Sequence, residues 1–318
     1  MTSSPPHSPQ AAPADTGATE KRAVALSSVV AGIFLTGMKL VVGLMTGSLG
    51  ILSEAAHSAL DFLAAAVTFF AVRASGRPAD REHTYGHGKV ENLSALFETV
   101  LLLVTCGWII YESVRRLFFA EVQVEASVWA FAVMVTSIVI DASRARALGR
   151  AAKKYQSQAL EADALHFSTD IWSSSVVLLG LLGVVLSERF PGLSFLKAAD
   201  AVAALGVAVI VILVSLQLGR RTVDGLMDTA PKGMDEAIRQ KVAAIEGVRN
   251  CHSVRVRSSG PRLFVDVHIE ADGRKSLKAT HDLTKQVEGA VLELAPGADV
   301  TVHPEPASPK PPTHPPRA

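Results

Sequence analysis

Six apolar stretches, at 23–46, 49–73, 91–116, 126–147, 163–187 and 197–218, occupy most of the first two-thirds of the chain. A helix of roughly 20 apolar residues matches the hydrocarbon thickness of a bilayer. Lipid offers no partner to backbone N–H and C=O groups, so such stretches cross as helices that satisfy themselves. The pattern predicts an all-α membrane bundle of six transmembrane helices. The turn between the first two stretches is only Thr46-Gly47-Ser48-Leu49-Gly50, which makes them a tight hairpin. Composition agrees: of 318 residues, 49% are hydrophobic and 19% charged, too apolar a balance for an ordinary soluble enzyme.

The loops carry an orientation signal. Lys21, Arg22, Arg73, Arg77, Arg81, Lys89, Arg144, Arg146, Arg150, Lys153, Lys154, Arg220 and Arg221 fall on one side, against Arg115, Arg116, Arg189 and Lys197 on the other. Both termini are therefore expected on the cytoplasmic side of a multi-pass inner (plasma) membrane protein. The net charge of +1, with no arginine-rich patch interleaved with aromatics, argues against a nucleic-acid partner. The two cysteines, Cys106 and Cys251, lie far apart and predict no structural disulfide.

Four regions follow from these shifts in composition: a disordered leader at 1–20, the membrane domain at 21–221, a cytoplasmic domain at 222–305 and a proline-rich tail at 306–318. His7 and His314 lie in the leader and tail and are not read as ligands. The cytoplasmic domain reads as α+β in the order α-β-β-α-β. Helical periodicity at Met234–Ile245 stops at Gly247; strand runs Cys251–Val256 and Leu263–Ile269 flank Ser258-Ser259-Gly260-Pro261. A helix at Leu277–Leu294 and a strand at Asp299–His303 complete it, with both helices expected on one side of a three-stranded sheet.

Two of the apolar stretches each contain a histidine followed four residues later by an aspartate: His57 and Asp61, and His166 and Asp170. The i, i+4 spacing puts both members of a pair on one helical face. An aspartate at the bilayer centre costs on the order of 2.5–3.5 kcal/mol even on the lenient insertion scale, so it is rarely idle. Two imidazoles and two carboxylates form a set suited to tetrahedral Zn2+. The absence of thiolates suits a site that must also release its ion. Because imidazole binds protons near neutral pH, H+ competes for the same nitrogens. A divalent metal crossing the bilayer is the reading these residues favour.

Other charges in the apolar stretches have simpler accounts: Lys39 snorkels outward, Asp141 pairs with Arg144, Glu98 pairs helices, and Asp200 caps a helix. Asp80, His83 and His87, between the second and third stretches, are close enough to share an ion. Taken alone, a polar turn satisfying its own backbone accounts for them better. His252, His268, His281 and His303, with Glu305, form a modest excess in the cytoplasmic domain, and surface histidines are the simpler reading.

GSLGILSEAAHSALD, RPADREHTYGHGKVENLSAL and QSQALEADALHFSTD together resemble the cation diffusion facilitator transporters, from about Lys21 to Glu305. The resemblance implies a six-helix bundle with a metallochaperone-like cytoplasmic domain. It also implies a homodimer and export of divalent metal from the cytoplasm by H+ antiport. It makes His57, Asp61, His166 and Asp170 the transport site, a set typical of zinc carriers, although many bacterial members have Asp where this chain has His57. It reverses the reading of the loop, making Asp80, His83 and His87 a second metal site. His252, His268, His281 and His303 match a binuclear, regulatory Zn2+ site, with Glu305 where an aspartate is usual. Lys89 and Asp228 resemble residues that salt-bridge the dimer's two parts.

The sequence leaves three alternatives. Iron, manganese, cadmium or cobalt carriers share the architecture, though two imidazoles disfavour manganese. A membrane metal sensor would leave the buried His–Asp pairs unexplained. An intramembrane zinc enzyme needs an open coordination position and a general base, and the chain has no His-Glu-x-x-His. No enzymatic activity is expected.

Overall fold

The computed structural model describes residues 14–118, 128–189 and 196–307. The leader before residue 14, the tail from residue 308, and the side chains of Arg116, Arg189, Lys197 and Asp200 lie outside this description. The chain forms two compact units, Met1–Val223 and Asp224–Ala318.

The first unit holds six long helices: α1 (Ala14–Thr46), α2 (Leu49–Ser75), α3 (Lys89–Phe118), α4 (Val128–Tyr155), α5 (Gln158–Arg189) and α6 (Leu196–Leu226). Among the described residues, five of them (all but α5) are long and apolar enough to cross a membrane. The described part of α5 instead carries Glu161, Asp163, His166 and Asp170. The helices outrun the apolar stretches because a helix does not stop where lipid contact ends. The clearest case is α1, which begins at Ala14 inside the expected leader. Tertiary pairing holds that extension: Lys154 Nζ donates to Glu20 Oε2 at 2.7 Å, Tyr155 Oη donates to the same oxygen, and Gly17 leaves room for the Tyr155 ring.

Small residues set how closely the helices approach. Gly32 on α1 faces the backbone of Phe62 on α2, where an added Cβ would lie 3.3 Å from its Cα. Ala25, Ala65, Ala151, Ala152, Ala159 and Ala164 pack with Leu148, Leu160 and Phe167 in one buried cluster across α1, α2, α4 and α5. Gly47, at φ 67°, and Ser48, whose hydroxyl caps α2 through Ile51 N, make the first hairpin turn.

The second unit comprises α7 (Met234–Ala243), β1 (Asn250–Ser259), β2 (Arg262–Ala271), α8 (Leu277–Leu294) and β3 (Asp299–Pro306). β2 is central, antiparallel to β1 and parallel to β3. The strands run longer than their apolar cores, and Gly260, at φ 60°, heads the two-residue turn joining β1 to β2. Alternation on β2 buries Val265, Val267 and Ile269 against Ile238 and Val242 of α7 and Leu283, Val287 and Val291 of α8. Both helices thus cover one face of the sheet, leaving Asp266, His268 and Glu270 on the other.

Candidate metal transport site

α2 and α5 carry the four membrane residues, and their packing brings the two pairs together. His166 Nε2 lies 3.2 Å from Asp61 Oδ1 and 3.6 Å from Asp170 Oδ2. His57 Nε2 lies 3.8 Å from Asp61 Oδ1 and 3.9 Å from Asp170 Oδ1. Each carboxylate is therefore shared between the imidazoles of both helices. Ligand atoms of His57, Asp61 and Asp170 all fall within 4.8 Å of one another, a grouping that could hold a cation. The environment is asymmetric: His166 keeps 2% of its side chain exposed, His57 keeps 41%. His166 is thus the fixed side of the cluster and His57 the adaptable one.

The surrounding charges are paired within the bundle. Lys39 does not snorkel: its Nζ donates to Ser58 Oγ at 2.8 Å and pairs with Glu54 Oε2 at 3.2 Å, because the tight α1–α2 hairpin sets those groups beside it. Arg144 Nη1 pairs with Asp141 Oδ1 at 3.1 Å, and its guanidinium lies 3.4 Å from the Phe167 ring centroid. The same guanidinium donates to Ser28 Oγ at 3.1 Å, and Ser28 donates onward to Asp163 Oδ2 at 3.4 Å. Cys106 is a buried core residue.

In the loop between α2 and α3, Asp80 Oδ1 lies 3.3 Å from His83 Nδ1 and Asp80 Oδ2 lies 3.3 Å from His87 Nε2. The three residues form a second possible metal grouping. Asp80 also does what a polar turn asks: Oδ1 accepts from His83 N at 2.7 Å and Glu82 N at 3.0 Å. Those backbone donors, with the His83 side chain, hold its carboxyl below the usual range.

The soluble sheet places His252, His268 and His303 directly opposite one another on three adjacent strands. Their rings stand 5.5 Å (His252–His268) and 4.8 Å (His268–His303) apart. Glu305 reaches all three: Oε1 is 2.8 Å from His268 Nδ1 and 3.7 Å from His303 Nε2, and Oε2 is 3.6 Å from His252 Nε2. The His268 hydrogen bond lowers the Glu305 carboxyl below its usual value. Its longer side chain therefore still reaches where an aspartate was expected. A register shift follows His252, with Ser253 at φ 51°, marking a bulge beside the cluster. His281 does not join this cluster. α8 packs on the opposite face of the sheet through Leu283 and Val287, which leaves His281 exposed and apart from the other three within one protomer.

Residues 24–227 match the cation efflux transmembrane domain, and residues 231–307 match the cation efflux protein cytoplasmic domain. The cation-efflux pump FieF of Cronobacter sakazakii is 33% identical over 295 residues, spanning 92% of this chain and 95% of that protein. That of Klebsiella pneumoniae is 32% identical over 293 residues, spanning 91% and 93%. The chain is a cation diffusion facilitator. Among solved structures, the metal-bound C-terminal domain of the CzcD transporter from Thermotoga maritima is 35% identical, covering 23% of this chain and 86% of that one, at a TM-score of 0.22.

As a cation diffusion facilitator, the protein is a multi-pass membrane exporter of divalent metal and not an enzyme. Its membrane unit contains two further buried carboxylates beside the cluster, Asp163 and Glu98. The sequence does carry a signal for Asp163, since Asp163, His166 and Asp170 fall at i, i+3 and i+7, the spacing of one face of α5. Glu98 is expected from the sequence to pair helices. It does accept from Thr68 Oγ1 at 2.9 Å, but its other oxygen, Oε2, faces His166 Nδ1 at 3.9 Å.

Proposed function

We propose that this cation diffusion facilitator exports zinc from the cytoplasm in exchange for protons, through His57, Asp61, His166 and Asp170. The observation that carries this reading is the convergence of both His–Asp pairs, with each aspartate within 4 Å of both imidazoles. Two carboxylates balance the charge of a divalent ion, and two nitrogens with two oxygens suit Zn2+ better than harder cations. With metal on the imidazoles their protons must leave, and with protons on them metal binds poorly. A single site that holds either cargo but not both is what exchange requires.

The excess of Lys and Arg on one side puts both termini in the cytoplasm of an inner-membrane protein. The protein works as a homodimer, with the membrane domain ending near residue 221 and the cytoplasmic domain near residue 305. Asp80, His83 and His87 form a second metal site in the loop between α2 and α3. His252, His268, His303 and Glu305 bind regulatory zinc, and His281 would take part only from another protomer.

The test is metal uptake by the purified protein in vesicles with an imposed pH gradient. Zn2+ should be carried faster than Mn2+ or Fe2+, and Asp170→Ala should abolish uptake while the protein remains folded. Near-normal uptake by that variant, or a preference for Mn2+, would overturn the assignment.

A further inference from the structure

Glu98 and His166 face each other across 3.9 Å with both facing atoms buried and unshared. Glu98 Oε2 and His166 Nδ1 have no hydrogen-bond partner among the described residues. The Glu98 side chain is fully buried and that of His166 is 2% exposed. A buried carboxylate oxygen and a buried ring nitrogen left without partners are costly, and native structures seldom keep them without a use. The other Glu98 oxygen is tethered: it accepts from Thr68 Oγ1 on α2, which in turn lies 3.3 Å from Ser94 Oγ on α3. Glu98 is thus held on its far side and free on the side that faces the imidazole.

We propose that Glu98 is a positioning residue for the transport site, the acceptor for His166 Nδ1–H that aims His166 Nε2 at the cargo ion. The proposal rests on His166 being a ligand, as read above. His166 Nε2 is the nitrogen turned toward Asp61 and Asp170. A cation there requires the ring's remaining proton to sit on Nδ1, where Glu98 Oε2 is the facing acceptor. Their 3.9 Å separation then shortens to a hydrogen bond. A metal-bound imidazole ordinarily donates its second nitrogen to such a partner, which fixes ring orientation and strengthens the ligand; loss of the partner costs about 10–100-fold in metal affinity or activity. Thr68 and Ser94 extend the chain one step further, so α2, α3 and α5 jointly set the angle of one ring.

The experiment compares full-length Glu98→Ala and Glu98→Gln in vesicles, reading zinc KM and maximal flux, with Asp61→Ala alongside. Glu98→Ala should raise KM about 10–100-fold, with maximal flux at saturating zinc largely retained. Glu98→Gln, which keeps an acceptor oxygen, should recover most of the loss. An unchanged KM in Glu98→Ala overturns the proposal. So does a Glu98→Gln variant as impaired as the alanine, and so does flux that is absent at every zinc concentration in a folded protein, since that would make Glu98 a ligand. If the alanine variant does not insert, 15N NMR of histidine-labelled, zinc-loaded wild type and Glu98→Gln decides. A His166 Nδ1–H resonance that shifts on losing the carboxylate supports the role, and an identical resonance refutes it. Normal zinc uptake by Asp61→Ala would mean that the transport-site reading itself had failed, independently of Glu98.

Discussion

Replacing Asp61 with asparagine removes one negative charge from the cluster and almost nothing else. The side chain keeps its volume and one acceptor oxygen, so no cavity opens in a position that is 8% exposed. Asp61 Oδ1 lies 3.2 Å from His166 Nε2 and 3.8 Å from His57 Nε2, so an ion held by those nitrogens sits close to it. A unit charge and a divalent ion about 4 Å apart interact by about 8 kcal/mol at an effective dielectric constant near 20. Returning water and the retained oxygen offset about half of this, leaving about 4 kcal/mol. At about 1.4 kcal/mol per decade, that corresponds to a loss of roughly 10²–10³-fold in zinc affinity. The assay is zinc uptake into vesicles across a wide range of zinc concentrations, with thermal unfolding of the metal-free protein as the folding control. Asp61→Asn should raise KM by that factor while metal-free unfolding stays close to wild type. A KM within about threefold of wild type, well under one decade of affinity, would show that Asp61 does not face the transported ion.

His57 is the more exposed of the two imidazoles proposed to bind the ion, so His57→Asp should fold and still transport. Exchanging nitrogen for oxygen should raise the Mn2+ to Zn2+ flux ratio, and an unchanged ratio would show that this position does not select. In the soluble unit, zinc at about 100 times its Kd should stabilise by about 2.7 kcal/mol, and His252→Ala with His268→Ala should remove most of that. The same double variant should shift the zinc concentration for half-maximal transport yet keep flux at saturation; complete loss of flux in a folded dimer would make the soluble site obligatory. Gly32→Leu should force α1 away from Phe62 on α2 and cost about 1–3 kcal/mol of stability, read as earlier thermal unfolding. Wild-type unfolding in that variant would refute the close helix contact.

Much of the membrane unit was legible because an ionisable residue in an apolar run stands out and the i, i+4 spacing needs no tertiary knowledge. His57 with Asp61 and His166 with Asp170 could be read that way, though the convergence of α2 on α5 could not. Lys39 shows the limit. Hydropathy sees a lysine near a helix end, but the rotation of α1 in its hairpin decides that Ser58 and Glu54 are its partners. The N-terminal turns of α1 were hidden for a similar reason, since Glu20 is tied down by Lys154 and Tyr155, far along the chain. In the soluble unit, strand alternation exposed the core face of β2. The cross-strand row of His252, His268 and His303 depends on register, which single-strand patterns do not contain. His281 was grouped with them by resemblance, whereas its place on α8 sets it on the other side of the sheet.

Exchange of zinc for protons at one membrane site is read by recording both fluxes at once. Vesicles containing the protein and dyes for internal zinc and internal pH should show zinc entry accompanied by proton exit. An imposed outward proton gradient should accelerate zinc entry, and Asp61→Ala combined with Asp170→Ala should silence both signals together. Zinc entry that proceeds at the same rate with no pH change would rule out exchange at this site.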